Sequence, residues 1–206
     1  MIPPTPAELP SPAGWEEIRR WRKLTREILI DRRAGLAAAT RRALAARACA
    51  RLAQVVDLSA YRVLGFCWPI RGELDARAIV KEHLSRGGLV ALPVVVQKSA
   101  PVEFWRWQPG MPMQTGTWNI PIPATRDVLR PDVVVVPLVG FDDAGFRLGY
   151  GGGYFDRTLG AAAPRPLAIG FGYAESRLPT IHPQAHDIPM SLIVTEETSF
   201  AAASRT

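Results

Sequence analysis

The chain has 206 residues, 48% of them hydrophobic and 21% charged, with a net charge of +6. That size suits one domain with a single core, and the longest apolar run, 133–139, is too short to span a bilayer. The proline-rich start lacks the apolar segment of a secretory signal, and two cysteines without ligand or redox spacing fit a reducing cytoplasm with both thiols buried.

Residues 1–14 are expected to be a flexible leader, 15–200 the folded domain and 201–206 a tail. Trp15, Ile18, Trp21, Leu24 and Ile28 recur at helical spacing and predict a helix with one apolar stripe, interrupted at Gly35. A second helix is predicted over 40–56, presenting Leu44, Ala48, Leu52 and Val55 on one face. Between Arg19 and Arg51 eleven Lys or Arg residues face only Glu27 and Asp31, which leaves 14 basic and 17 acidic residues elsewhere. A basic end on a slightly acidic body points to anionic partners.

Strands are predicted at 61–68, 89–97, 102–107, 133–138, 166–172 and 191–195, with a helix over 74–85 stopped by Gly87 and Gly88. The continuous apolar run at 133–136 requires burial on both faces, as in a parallel sheet covered by helices. The fold class is therefore α/β, a single layered domain with a mostly parallel central sheet and an antiparallel element at 102–107.

The 133–138 strand runs into Gly149, Gly151, Gly152 and Gly153, followed by a helix starting near 153–156. Glycines permit positive φ and close backbone approach, so successive N–H groups could form an anion nest backed by the helix start. Arg147 would add charge, and Asp156 is a hard oxygen ligand suited to Mg²⁺. The spacing is neither a Walker A nor a GxGxxG pattern, and a tight surface turn explains it equally well.

The whole run PLVGFDDAGFRLGYGGGYFDRTL, however, closely resembles the signature of the 5-formyltetrahydrofolate cyclo-ligases, with weaker similarity over 22–196. The resemblance implies a Rossmann-like layered fold related to the NagB/RpiA/CoA-transferase group. It also implies ATP- and Mg²⁺-dependent closure of 5-formyltetrahydrofolate to 5,10-methenyltetrahydrofolate. Carried over position by position, it places ATP at Arg22, Lys23, Arg26, Arg147, Leu148, Gly149, Tyr150, Gly151, Gly152, Gly153, Tyr154 and Phe155. The folate falls to Trp68, Glu73, Trp118, Tyr150, Gly151, Gly152, Gly153 and Tyr154; Mg²⁺ to Asp156 and Asp187; catalysis to Arg147 and Tyr154.

The chain departs from the family pattern in having Thr25 before the second basic residue, where an aliphatic is usual. It also has Tyr173 near a usual glutamine, a longer 179–187 segment, and Ile122 where a polar residue is common. A non-catalytic folate- or nucleotide-binding paralogue is the alternative those changes raise. His182 and His186 lack a third partner for zinc. The implied partners are small molecules, reduced folate and ATP, rather than nucleic acid or membrane, and the protein is expected to be a cytoplasmic monomer.

Overall fold

The four valines at 133–136 lie in the middle of an eight-stranded sheet, as their uninterrupted apolarity requires. The computed structural model describes Pro6 and residues 12–202, so most of the expected leader and tail lie outside the described residues. In chain order the elements are α1 (Trp15–Gly35), α2 (Ala38–Val55), β1 (Val63–Phe66), α3 (Arg77–Ser85), β2 (Leu89–Val94) and β3 (Glu103–Trp107). Then come β4 (Met113–Thr115), β5 (Pro121–Pro123), β6 (Val128–Leu129), β7 (Val133–Pro137), β8 (Gly140–Phe141) and β9 (Arg147–Leu148). The chain finishes with α4 (Tyr154–Ala161), β10 (Leu167–Phe171), β11 (Leu192–Val194) and β12 (Ser199–Ala201).

The sheet order is β12-β11-β10-β7-β1-β2-β3-β6. Pairing is parallel from β11 to β2 and antiparallel at both margins, where β12, β3 and β6 attach. This confirms the mostly parallel α/β sheet and the antiparallel element at 102–107. Two small hairpins, β4–β5 and β8–β9, stand apart from it.

Alternation along β7 divides the core. Val133 and Val135 pack with Ala48, Leu52, Ile79 and Val80 of α2 and α3, whereas Val134 and Val136 pack with Leu159 of α4. Each fully buried valine contributes roughly 1.5–3 kcal/mol over an exposed one. A third cluster joins Trp21 and Leu29 of α1 to Val139, Phe146, Leu148, Leu178 and Ile181 beyond the strand ends.

Several element boundaries and faces differ from the sequence-based expectation. On α1 the predicted stripe holds only in part: Trp21 is buried and Ile18 and Ile28 half-buried, but Trp15 is 49% and Leu24 41% exposed, and the buried face is Trp21, Arg22, Thr25, Leu29 and Arg33. Two arginines are buried there because backbone carbonyls and carboxylates meet them. On α2 the inner face is Ala45, Ala48, Cys49 and Leu52, and Val55 points outward. The helix expected from 74 begins at Arg77, because Asp75 accepts a hydrogen bond from the Arg77 amide (3.0 Å) and turns the chain first. Cys49 is buried, but Cys67 is only half-buried as a residue.

Thr25 is completely buried and its hydroxyl has no hydrogen-bond partner. An unsatisfied buried hydroxyl costs about 1–3 kcal/mol. Thr25→Val, which removes the hydroxyl and keeps the branched shape, is therefore expected to raise the melting temperature. Thermal unfolding checks this; an unchanged or lower midpoint would contradict it.

Candidate active site

The site is built where the parallel strands end. Behind it, the buried Asp142 organises the β8–β9 turn: one carboxylate oxygen accepts the Phe146 amide and the other the Ile181 amide, both at 3.1 Å. Burial pushes this carboxyl up from the usual aspartate range, against the pull of those amides. Asp142 is thus committed to holding the loop rather than meeting a ligand.

After β9, residues 149–153 cross in front of α1 into α4. Gly153 sits in the left-handed region (φ 63°) immediately before α4, a conformation in which a side chain would be strained. Arg26 of α1 donates to the Gly149 carbonyl at 2.6 Å. Arg157 donates to the Gly152 carbonyl from the first turns of α4. The glycine-rich segment is therefore pinned through its carbonyls from two sides by guanidinium groups.

Arg147 is buried and donates to the Ile188 carbonyl (2.9 Å) while its other terminal nitrogen pairs with Asp156 at 2.9 Å. The same Asp156 oxygen accepts the Ile188 amide at 3.0 Å. Burial lowers the Arg147 pKa, opposed chiefly by Asp156. A matching pair lies beside it. Arg22 donates to Asp187 at 2.5 Å and to the Ile181 and His182 carbonyls, both at 3.0 Å. Burial disfavours the charge on Asp187, but Arg22 and the Gln184 amide outweigh it and hold the carboxyl below its ordinary range.

Glu73 follows the turn Arg71–Gly72, both residues at positive φ (47° and 75°). A Cβ on Gly72 would come within 3.1 Å of the Arg33 carbonyl, so this tight approach to α1 depends on glycine. Glu73 is 8% exposed. One of its oxygens accepts the Ile70 amide (2.9 Å), and the other accepts the Tyr150 hydroxyl (2.8 Å) with Arg33 at 3.6 Å. Glu73 also lines a cavity with Phe66, Cys67, Leu74, Ala76, Val135, Pro137 and Phe171. Burial raises its carboxyl above the usual range, with the Ile70 amide, Arg33 and Tyr150 pulling the other way.

The profile of the 5-formyltetrahydrofolate cyclo-ligase family matches residues 18–196. The chain belongs to the 5-formyltetrahydrofolate cyclo-ligase family. A 5-formyltetrahydrofolate cyclo-ligase of Escherichia coli K12 is 34% identical over 131 residues, covering 60% of this chain and 72% of that one. The enzyme of the same name from Mycolicibacterium smegmatis is 29% identical over 142 residues, 65% of this chain and 73% of the relative. Among solved structures, Aquifex aeolicus 5,10-methenyltetrahydrofolate synthetase superposes with a TM-score of 0.77 at 26% identity, covering 90% of this chain and 95% of that one. The protein is thus an enzyme, a ligase of folate one-carbon chemistry, built on the fold of the methenyltetrahydrofolate synthetases.

Within this cyclo-ligase fold the residues singled out by sequence are unequally placed. Arg22, Arg26, Arg147, Asp156 and Asp187 are linked through direct bonds or the 181–188 segment, around the glycine-rich loop. Lys23 is exposed and makes no ion pair among the described residues. Trp68 is half-buried, packed edge-on to Trp107 (5.6 Å) and under Arg77 (5.7 Å). Trp118, 64% exposed, reaches the ring of Tyr154 edge-on at 5.5 Å from the segment between β4 and β5. Phe155 lies under the Arg147 guanidinium at 5.9 Å.

Sequence reasoning missed Arg33, which entered only in the count of basic residues between Arg19 and Arg51. It also flagged Tyr173 only as a departure; its hydroxyl donates to the Gly72 carbonyl at 2.8 Å.

A hard cation would find two carboxylates here. Each has one oxygen engaged by arginine; Asp156 Oδ2 accepts no hydrogen bond among the described residues, and Asp187 Oδ1 has only His186 at 3.8 Å. No cluster of three or more acidic, histidine or cysteine side chains capable of holding a metal occurs among the described residues. Two carboxylate oxygens suit Mg²⁺, which takes few protein ligands and fills its shell with phosphate and water. Among the described residues, no helix is long and apolar enough to cross a membrane.

Proposed function

We propose that the protein closes 5-formyltetrahydrofolate to 5,10-methenyltetrahydrofolate with conversion of ATP to ADP and phosphate. The observation that carries this reading is the Arg147–Asp156 pair flanking the glycine-rich loop, with Glu73 hydrogen-bonded to that loop through Tyr150. In this reading Arg22, Lys23 and Arg26 attend the triphosphate, together with the loop from Leu148 to Phe155. Glu73 accepts paired hydrogen bonds from the pterin amino group and adjacent ring N–H. Trp68 and Trp118 border the folate.

The chemistry explains the need for ATP. A formamide oxygen is a very poor leaving group, so N10 cannot displace it unaided. Transfer of the γ-phosphoryl group to that oxygen gives an imidate phosphate and ADP. N10 then attacks the formyl carbon, the C–O bond breaks, and phosphate leaves as the conjugated amidinium forms; the N10 proton passes to solvent. Such a reaction asks the protein for alignment and charge neutralisation rather than a side-chain nucleophile. Arg147, fixed by Ile188 and Asp156, would stabilise charge developing on the transferred group, with loop amides and Tyr154 beside it. Asp156 and Asp187 would hold Mg²⁺, which supplies charge neutralisation on the phosphates when bound.

Purified protein incubated with 5-formyltetrahydrofolate, ATP and Mg²⁺ is expected to develop the methenyl chromophore. Omitting ATP, or chelating the metal with EDTA, is expected to abolish it. Folate and ATP binding without product would overturn the catalytic reading, and full activity in EDTA would overturn the metal assignment.

A further inference from the structure

Arg33 lies seven residues beyond Arg26 on α1, at the junction of three parts of the site. Its side chain is 3% exposed and every nitrogen is committed. Nε donates to the Arg71 carbonyl (2.9 Å), Nη1 to the Leu138 carbonyl after β7 (3.1 Å), and Nη2 to the Tyr150 hydroxyl (2.5 Å). Tyr150 in turn donates its one hydroxyl proton to Glu73. The order is chemically consistent: guanidinium to phenol oxygen, phenol proton to carboxylate. Tyr173 secures the same turn by donating to Gly72, the residue before Glu73.

We propose that Arg33 is a positioning residue for the cyclo-ligase reaction, setting the direction and charge of Glu73 and tying it to the glycine-rich loop through the Tyr150 hydroxyl. The inference rests on Glu73 being the carboxylate that takes the pterin. A carboxylate buried in an apolar cavity without a compensating cation tends to neutralise. A neutral acid presents a proton where the pterin also presents protons, so paired recognition fails. Three groups besides the Ile70 amide face Glu73. They are Arg33 from α1, Tyr150 from the loop after β9, and Cys67 after β1, whose thiol burial pushes well up. Arg33 is the cation in direct reach. Because Tyr150 belongs to the loop proposed to take ATP, the same link places the two substrate-binding segments in fixed register.

The test compares Arg33→Met, Arg33→Lys and Tyr150→Phe with the wild type, measuring KM for 5-formyltetrahydrofolate and for ATP, kcat, and the pH profile of kcat/KM for the folate. Arg33→Met is expected to raise the folate KM about tenfold or more, the scale of a lost charge-assisted hydrogen bond, with smaller changes in ATP KM and kcat. Without the guanidinium Glu73 protonates at higher pH, so the acid limb of the profile moves up. Arg33→Lys restores part of both.

An unmoved folate KM and acid limb in Arg33→Met would overturn the proposal. So would equal losses in kcat and both KM values with no rescue by lysine, which would mark a purely structural role. If Arg33→Met fails to fold, Tyr150→Phe removes the relay hydroxyl while keeping the ring and is expected to move the same limb; a wild-type profile there overturns the proposal. A wild type that forms no methenyl product sinks the functional reading instead, whereas an active wild type beside an unaffected Arg33→Met sinks only this inference.

Discussion

Arg147→Ala is expected to lower turnover by about 10²–10³-fold, the scale for removing a donor aimed at developing transition-state charge. The structure gives a reason beyond the loss of one cation. Arg147 is fixed by the Ile188 carbonyl and by Asp156, and in the proposed reaction would meet the phosphoryl group without first being ordered. The variant also leaves Asp156 short of its partner; breaking a fully buried pair costs roughly 3–5 kcal/mol, and the half-buried Asp156, which keeps the Ile188 amide, puts this pair below that. Turnover must therefore be measured on protein shown to be folded by its melting curve. Arg147→Lys keeps the charge and forfeits the two-ended fixation, so it is expected to fall between alanine and wild type. Wild-type turnover in Arg147→Ala would remove Arg147 from the chemistry altogether.

Glu73→Ala is expected to raise the folate KM by about 10–100-fold, the range for one to two lost charge-assisted hydrogen bonds, with a smaller effect on kcat. Steady-state kinetics with each substrate varied separates these parameters. The substitution has a second consequence with a definite sign. Because the folded protein raises the Glu73 pKa, folding binds a proton there more readily than the unfolded chain does. Its ionised form therefore costs stability above the raised value. That cost is relieved as pH falls through the folded value towards the unfolded one. Glu73→Ala is expected to lose this share of the gain on mild acidification, measurable as a flatter melting temperature against pH. A folate KM equal to wild type would show that Glu73 serves only the turn after β1.

What was legible in the sequence follows from what each signal physically records. The strands at 133–137 and 167–171 were plain because burial on both faces admits only apolar residues there. The inner face of α1 was misread for the converse reason. Periodicity assumes that the buried side is the apolar side, and α1 buries Arg22 and Arg33 while exposing Trp15 and Leu24. Those arginines are satisfied by carbonyls 38 to 160 residues away, which no local pattern can register. Strands β4, β5, β6, β8, β9 and β12, each two or three residues long, are too short to show alternation. In the site, the glycine-rich loop and its flanking Arg147 and Asp156 stood out through family resemblance. The commitment of Glu73 to Tyr150 and Ile70 was invisible, since it depends on a turn closing against α1.

The reach of α1 also bears on how the protein is made. Arg22, Arg26 and one nitrogen of Arg33 bond to residues 105 to 165 positions further along the chain. On a ribosome moving at about 5–20 residues per second, the first helix must therefore wait roughly ten seconds or more before Asp187 and the glycine-rich loop emerge. Until then the guanidinium groups of Arg22 and Arg26 lack these partners, whereas Arg33 can already meet Arg71 and Glu73. The nascent chain can pair β1 with β2 long before it owns a binding site, and competence arrives late, when the C-terminal segment closes over the first helix.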